Sequence, residues 1–157
     1  IADVLKAPAE QLVRIDQYHV EVGSDTTPRA TVTLSFGGKI EEADAKGGGG
    51  YDALMNAVRK AARNFGIDVP RLADYRVRIP PGGRTGAIVE TVITWRPEGA
   101  ARTTQHAEDT FSTIGVDSDQ LAAAVIATEK MLNAGISPRD RARAAKRVKR
   151  RPPSGRR

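Results

Sequence analysis

Apolar and polar residues alternate along most of this chain, and the alternation breaks twice into helical spacing. From Gln11 to Gly23 the apolar positions are Leu12, Val13, Ile15, Tyr18, Val20 and Val22, which predicts a strand. Ser24-Asp25-Thr26-Thr27-Pro28 is turn chemistry, because Pro fixes φ while Asp and Thr bond back to the backbone. Arg29 to Phe36 sets Ala30, Val32, Leu34 and Phe36 on one face against hydroxyl residues on the other. Gly37-Gly38 is a hairpin signal, and Lys39 to Lys46 returns as a more polar third strand. After Gly47-Gly48-Gly49-Gly50 the spacing changes. Leu54, Val58, Ala61 and Phe65 fall on one side of a helix predicted over Asp52–Phe65 and closed by Gly66.

The same order then recurs. Leu72 to Ile79 alternates Tyr75, Val77 and Ile79 with charged residues, and Pro80-Pro81-Gly82-Gly83 turns the chain. Gly86 to Trp95 is a β-branched strand, Thr103 to Ile114 runs back, and Ser118 to Asn133 is helical with Leu121, Val125, Thr128 and Leu132 on its buried face. Gly66-Ile67 and Gly135-Ile136 end the two helices alike. The chain therefore reads as an α+β fold made of duplicated β-β-β-α units related by a pseudo-twofold axis. Residues 1–10 form a linker, 11–70 the first unit, 71–136 the second, and 137–157 a tail. Both helix starts follow glycine-containing turns, so they meet near one seam where a small carboxylate can bind.

Composition narrows the classes. The 157 residues suit one domain, and no apolar run approaches the ~20 residues of a membrane span. The start lacks the pattern of a signal peptide, and the missing initiator Met suggests a piece of a longer protein. With no cysteine there are no disulfides or thiolate metal sites, and a cytoplasmic setting fits. The net charge of +6 is uneven. Ser137 to Arg157 holds ten Lys or Arg and one Asp, while the other 136 residues carry 15 basic and 18 acidic side chains. The first part of the tail is compatible with a helix but lacks an apolar face, and self-repulsion and the late prolines favour disorder. It is the best case for nucleic-acid binding, but without aromatic residues to stack on bases a solubilising extension is the favoured reading.

The motifs point away from catalysis. A phosphate loop needs Lys and a hydroxyl residue after its last glycine, and here Tyr51 and Asp52 follow Gly50. The plain reading is a turn with Asp52 near the N-cap of the first helix and Asp119 playing that part in the second. His19 and His106 each lie two residues from a glutamate, Glu21 and Glu108, but neither has a second His at ligand spacing, so strand-surface histidines are favoured over a metal site. No Ser, His and Asp grouping sits in a nucleophile context.

As a set, Val20-Glu21-Val22-Gly23, Pro28-Arg29-Ala30-Thr31-Val32 and the glycine turn with Asp52-Ala53-Leu54 resemble the C-terminal regulatory domain of 2-isopropylmalate synthase. So do Asp74-Tyr75-Arg76-Val77, Gly83-Arg84-Thr85-Gly86-Ala87 and Gly115-Val116-Asp117-Ser118-Asp119-Gln120. Citramalate synthase carries the same domain. The resemblance, over residues 11 to 134, implies an allosteric, dimerising module that binds leucine as feedback inhibitor, with isoleucine as the alternative in the citramalate branch. The acetyl-CoA-condensing barrel and its divalent metal would lie in another domain of the parent enzyme, leaving this chain without cofactor or catalysis. By the same resemblance, Tyr51 and Asp52 offer backbone N–H groups to the effector, while Leu72, Tyr75 and Ile79 line its side-chain pocket. Thr85 and Ala87 close that pocket, and Val116 and Ser118 meet the polar end. One departure stands out: Gly50 replaces the family's usual proline and bulky Tyr51 follows. A dimerisation-only module without effector is the reading this departure suggests.

Overall fold

A computed structural model describes residues 3–4, 12–80, 88–97, 110–136 and 138–149. Its elements follow the chain as β1 (Asp3–Val4), β2 (Val13–Gly23), β3 (Thr26–Phe36), β4 (Lys39–Lys46) and α1 (Gly50–Asn64). The second unit holds β5 (Arg71–Arg78), β6 (Val89–Arg96), β7 (Phe111–Asp117) and α2 (Gln120–Ala134), and α3 (Pro138–Lys149) follows. Two antiparallel three-stranded sheets, β2-β3-β4 and β7-β6-β5, are each followed by a helix, so the duplicated β-β-β-α architecture is present. Short β1, inside the expected linker, adds a parallel fourth strand beside β7.

In the first sheet, register puts Val13, Ile15, Tyr18 and Val20 opposite Phe36, Leu34, Val32 and Ala30 on the face toward the helices. The two-residue turn Gly37-Gly38 has φ of 58° and 78°, left-handed values that glycine takes without a Cβ clash. The opposite face is polar, and His19 sits exposed there across from Thr31. His106 lies outside the described residues. The seventh strand ends later than expected: among the described residues it runs from Phe111 to Asp117, three residues beyond Ile114. The expected portion before Thr110 lies outside the described residues.

Helix α1 packs over β3 and β4 and buries Leu54, Val58 and Ala61, while α2 packs on β6 and β7 and against β2. One continuous core results, with Val13, Val32, Leu34, Leu54, Ile93, Trp95, Met131 and Leu132 sealed from solvent. Each of the larger aliphatic groups contributes about 1.5–3 kcal/mol through burial. Among the described residues the buried side-chain polar groups are paired except the Thr91 hydroxyl: Trp95 Nε1 donates to Thr113 Oγ1 at 2.9 Å, and Thr113 Oγ1 donates to the Ala127 carbonyl at 2.7 Å. Asn133 on α2 joins the units. Its Oδ1 accepts from the Leu12 and Val13 N–H groups and its Nδ2 donates to the Val13 carbonyl, all at 2.9 Å.

Over Pro138–Lys149 the tail takes the helical alternative. A broad apolar face is not required, because Ala144 is small enough to bury against the Gly37 backbone. Arg141 adds a bond from Nη2 to the Asn133 carbonyl at 2.6 Å.

Candidate functional site

The seam between the units holds a cavity of about 430 Å³, bounded by α1, the edge strand β5 and the first residue of α2. The glycine turn sets one end. Gly47 donates to the Pro28 carbonyl at 3.1 Å, and a Cβ there would lie 2.3 Å from the Ala53 nitrogen, so only glycine lets the strand meet the helix this closely. The N-cap is Gly49, with no side-chain cap, three residues before Asp52. Asp52 instead reaches back, its Oδ2 accepting from the Gly48 N–H at 2.7 Å. The expected placement of Asp52 near the cap is thus refined to the first turn. A helix start without a side-chain cap presents N–H groups and a partial positive charge to an anion. In α2, Asp119 is the N-cap and accepts from Ala122 N–H at 2.8 Å.

From α1 the side chains of Tyr51, Asp52, Met55, Asn56 and Arg59 face the cavity at helical spacing. From β5 come Leu72 and Tyr75, and from α2 comes Gln120. A register shift between Leu72 and Asp74 puts Leu72 opposite Trp95 and Tyr75 opposite Ile93. Residues three apart on a regular strand point to opposite faces, so this bulge is what brings Leu72 and Tyr75 to one side.

Tyr51 is the hinge point of the arrangement. Its hydroxyl bonds Thr128 Oγ1 on α2 at 2.8 Å, and its ring lies 5.1 Å from that of Tyr75, tilted by 48°. Burial pushes its phenol well above the ordinary tyrosine range, an effect the Thr128 bond partly opposes. Arg59 is held in place by bonds from Nη1 to the Val69 carbonyl and from Nη2 to the Pro70 carbonyl, both 3.0 Å. The cavity therefore offers aromatic and aliphatic walls with a carboxylate, a guanidinium and two amides at its margin. That suits a small ligand carrying both an apolar body and charged groups.

Of the residues expected from sequence, Tyr51, Asp52, Leu72 and Tyr75 meet at this cavity. Ile79 follows the end of β5 and is 63 % exposed, away from the lining. Val116 pairs with Glu90 on the sheet face opposite that of Gly115 and is 47 % exposed, and exposed Ser118 bonds Asp117 at 3.5 Å; neither lines the cavity. Thr85 and Ala87 lie outside the described residues. Sequence reasoning missed Met55, Asn56, Arg59 and Gln120. The first three stand four or eight residues beyond Tyr51 and Asp52, a spacing that could have extended the α1 face.

Comparison with known proteins accounts for most of the chain. The family described as the LeuA allosteric (dimerisation) domain matches residues 1–136. A 2-isopropylmalate synthase of Aquifex aeolicus is 30 % identical over 135 residues, covering 85 % of this chain and 23 % of that protein. A protein named putative (R)-citramalate synthase from Methanopyrus kandleri is 33 % identical over 94 residues, 60 % of this chain and 18 % of its own length. The (R)-citramalate synthase of Geobacter sulfurreducens is 40 % identical over 67 residues, 41 % of this chain and 13 % of its own. The chain thus spans a quarter or less of the length of these relatives. Among the described residues no helix is long and apolar enough to cross a membrane.

Proposed function

The chain belongs to the LeuA allosteric (dimerisation) domain family, and from that premise we propose that it is the effector-binding regulatory domain of a 2-isopropylmalate synthase, with leucine as feedback inhibitor. The observation that carries this is the cavity at the seam between the units. Its volume of about 430 Å³ falls within the ~300–1,000 Å³ of small-molecule sites. Met55, Leu72, Tyr51 and Tyr75 suit a branched aliphatic side chain. The start of α1 and the Arg59 guanidinium favour the effector's carboxylate, while Asp52 favours its ammonium.

Regulation requires that the effector bind one state of the parent enzyme more tightly than another. The Tyr51–Thr128 bond supports a route, since it ties the first turn of α1 to α2 and moves with whatever displaces that turn. A second copy of the domain is part of the same reading. Edge strand β5 leaves Leu72 and Val77 over 40 % exposed on the side where α2 does not cover it, apolar surface that suits a partner protomer. Condensation of acetyl-CoA with a 2-oxo acid, and its divalent metal, belong in this proposal to a separate barrel domain.

The test is calorimetric titration of the purified chain with leucine, isoleucine and valine. Saturable leucine binding near one per protomer, weakened at least tenfold by Tyr75→Ala, is expected. Leucine affinity unchanged by Tyr75→Ala would refute the cavity as the site. The named (R)-citramalate synthase relatives favour a second reading, in which isoleucine is preferred. Because one methylene in an apolar pocket is worth only about 1–3 kcal/mol, the titration decides between them. A folded dimer that binds none of the three would leave a dimerisation module alone.

A further inference from the structure

Helix α3 presents a cationic surface that the effector reading does not use. Ala144 is buried against Gly37 of the first unit, and Arg141 is bonded to the Asn133 carbonyl of the second, which fixes the helix on both. At about 100° per residue, Arg139, Arg143 and Lys146 then fall on the side away from Ala144 and Arg141, with Arg147 at its flank. Arg139, Arg143 and Arg147 rise about 6 Å per step along the axis. Arg143 and Arg147 join Lys39 of β4 and Asn64 of α1 around a groove of about 180 Å³ beside the β3–β4 turn. Phe36 and Phe65 also line it, their rings edge-to-face at 5.8 Å. Asp140 is the single carboxylate among the groove's lining residues. None of Lys39, Arg139, Arg143, Lys146 and Arg147 makes an ion pair with another described residue.

We propose that α3 and the β3–β4 turn form a sequence-independent surface for the phosphate backbone of duplex nucleic acid. Lys39, Arg143 and Arg147 surround one phosphate, and Arg139 and Lys146 reach its neighbours. Charge is the first argument: residues 137–157 hold ten basic side chains and one acid, against 15 basic and 18 acidic in the rest of the chain. Order is the second. A disordered tail would lose its conformational freedom on binding, whereas cations on a docked helix lose much less. Duplex phosphates need no stacking ring, so the lack of aromatic residues in the tail does not count against this partner. A duplex is the partner, because Phe36 and Phe65 are half-buried and pack edge-to-face on each other rather than standing out as a stacking platform for unpaired bases. The proposal does not depend on the effector cavity.

The test is fluorescence anisotropy of a labelled mixed-sequence DNA duplex of about 20 base pairs, titrated with the whole chain. Three neutralised phosphates predict a slope of log K against log salt near −2.7, a roughly 40-fold loss between about 50 and 200 mM salt. Replacing Arg139, Arg143 and Arg147 together by Gln should lower affinity more than tenfold at about 50 mM salt and bring the slope near −2. The variant's thermal melt should stay in place, which separates lost contacts from lost fold. Absence of saturable binding by the natural chain at about 50 mM salt would overturn the proposal, as would a variant with unchanged affinity and slope. Displacement by poly-glutamate of matching charge as readily as by unlabelled duplex would also overturn it, in favour of an acidic protein.

Discussion

Asn133→Leu tests how the two units are held together. The side chains are similar in volume, so the substitution removes the amide while leaving little void. Three backbone groups then lose their partner: the Leu12 and Val13 N–H groups and the Val13 carbonyl, each bonded at 2.9 Å. Val13 and Asn133 are both sealed from solvent, so water cannot replace the amide at Val13. A buried orphan costs about 1–3 kcal/mol, and Leu12, nearer the surface, costs less. The fourth bond, from Nδ2 to the Glu129 carbonyl, matters little because that oxygen lies within the α2 hydrogen-bond ladder. Added apolar burial returns about 1–2 kcal/mol, leaving a net loss of roughly 2–4 kcal/mol. Urea unfolding at one fixed protein concentration measures this, followed by the fluorescence of buried Trp95, the chain's single tryptophan. With a slope of about 1–3 kcal/mol per molar urea, the midpoint should fall by about 1–2 M at unchanged slope. A midpoint within about 0.3 M of the natural chain, again at unchanged slope, would show that Asn133 does not join the units as described.

Gly115→Ala should destabilise by about 3 kcal/mol or more, because the new Cβ would lie 1.8 Å from the Ala123 carbonyl oxygen and α2 must retreat from the sheet; a melt shifted by under about 2 °C would contradict this. Thr91→Val should raise stability by about 0.5–1.5 kcal/mol, since the Thr91 hydroxyl is buried with no hydrogen-bond partner among the described residues; denaturant unfolding that shows a loss would mean the hydroxyl has one. Tyr51 makes stability pH-dependent. Its folded pKa is raised, so its contribution is present below the unfolded value of about 10 and is lost as pH climbs above that. The stability difference between the natural chain and Tyr51→Phe should therefore shrink above about pH 10, and a flat difference up to the alkaline limit of folding would refute the buried phenol.

How much could be read from the chain differs by element. Ala30, Val32 and Leu34 alternate with hydroxyl residues, and they are buried as that alternation requires. Val125, Thr128 and Leu132 are buried on α2 at the expected spacing. Leu121, in the first turn of α2, is half-buried. The later end of β7 has a simple origin: Thr113, Gly115 and Asp117 carry little of the apolar signal that marks a strand, and burial of Thr113 and Gly115 becomes visible only once α2 lies over them.

The site shows the same division. A glycine run before a helix marks locally where Tyr51 and Asp52 stand, while their place among the candidate site residues comes from the family resemblance. Leu72 and Tyr75 share a wall only because of the bulge between Leu72 and Asp74, which depends on pairing with β6 about 20 residues on. Gln120 joins them through packing between units. Strand period, helix period, turn chemistry and the repeat of the β-β-β-α unit were determined by the sequence itself, because each arises from neighbours within a few residues. Tertiary structure decided which ends of the two units meet, that Ile79, Val116 and Ser118 stand off the cavity, and that Arg59 is held by the Val69 and Pro70 carbonyls. It also decided that α3 docks on the sheet, since the close fit of Ala144 beside Gly37 is a contact across more than 100 residues that no local pattern encodes.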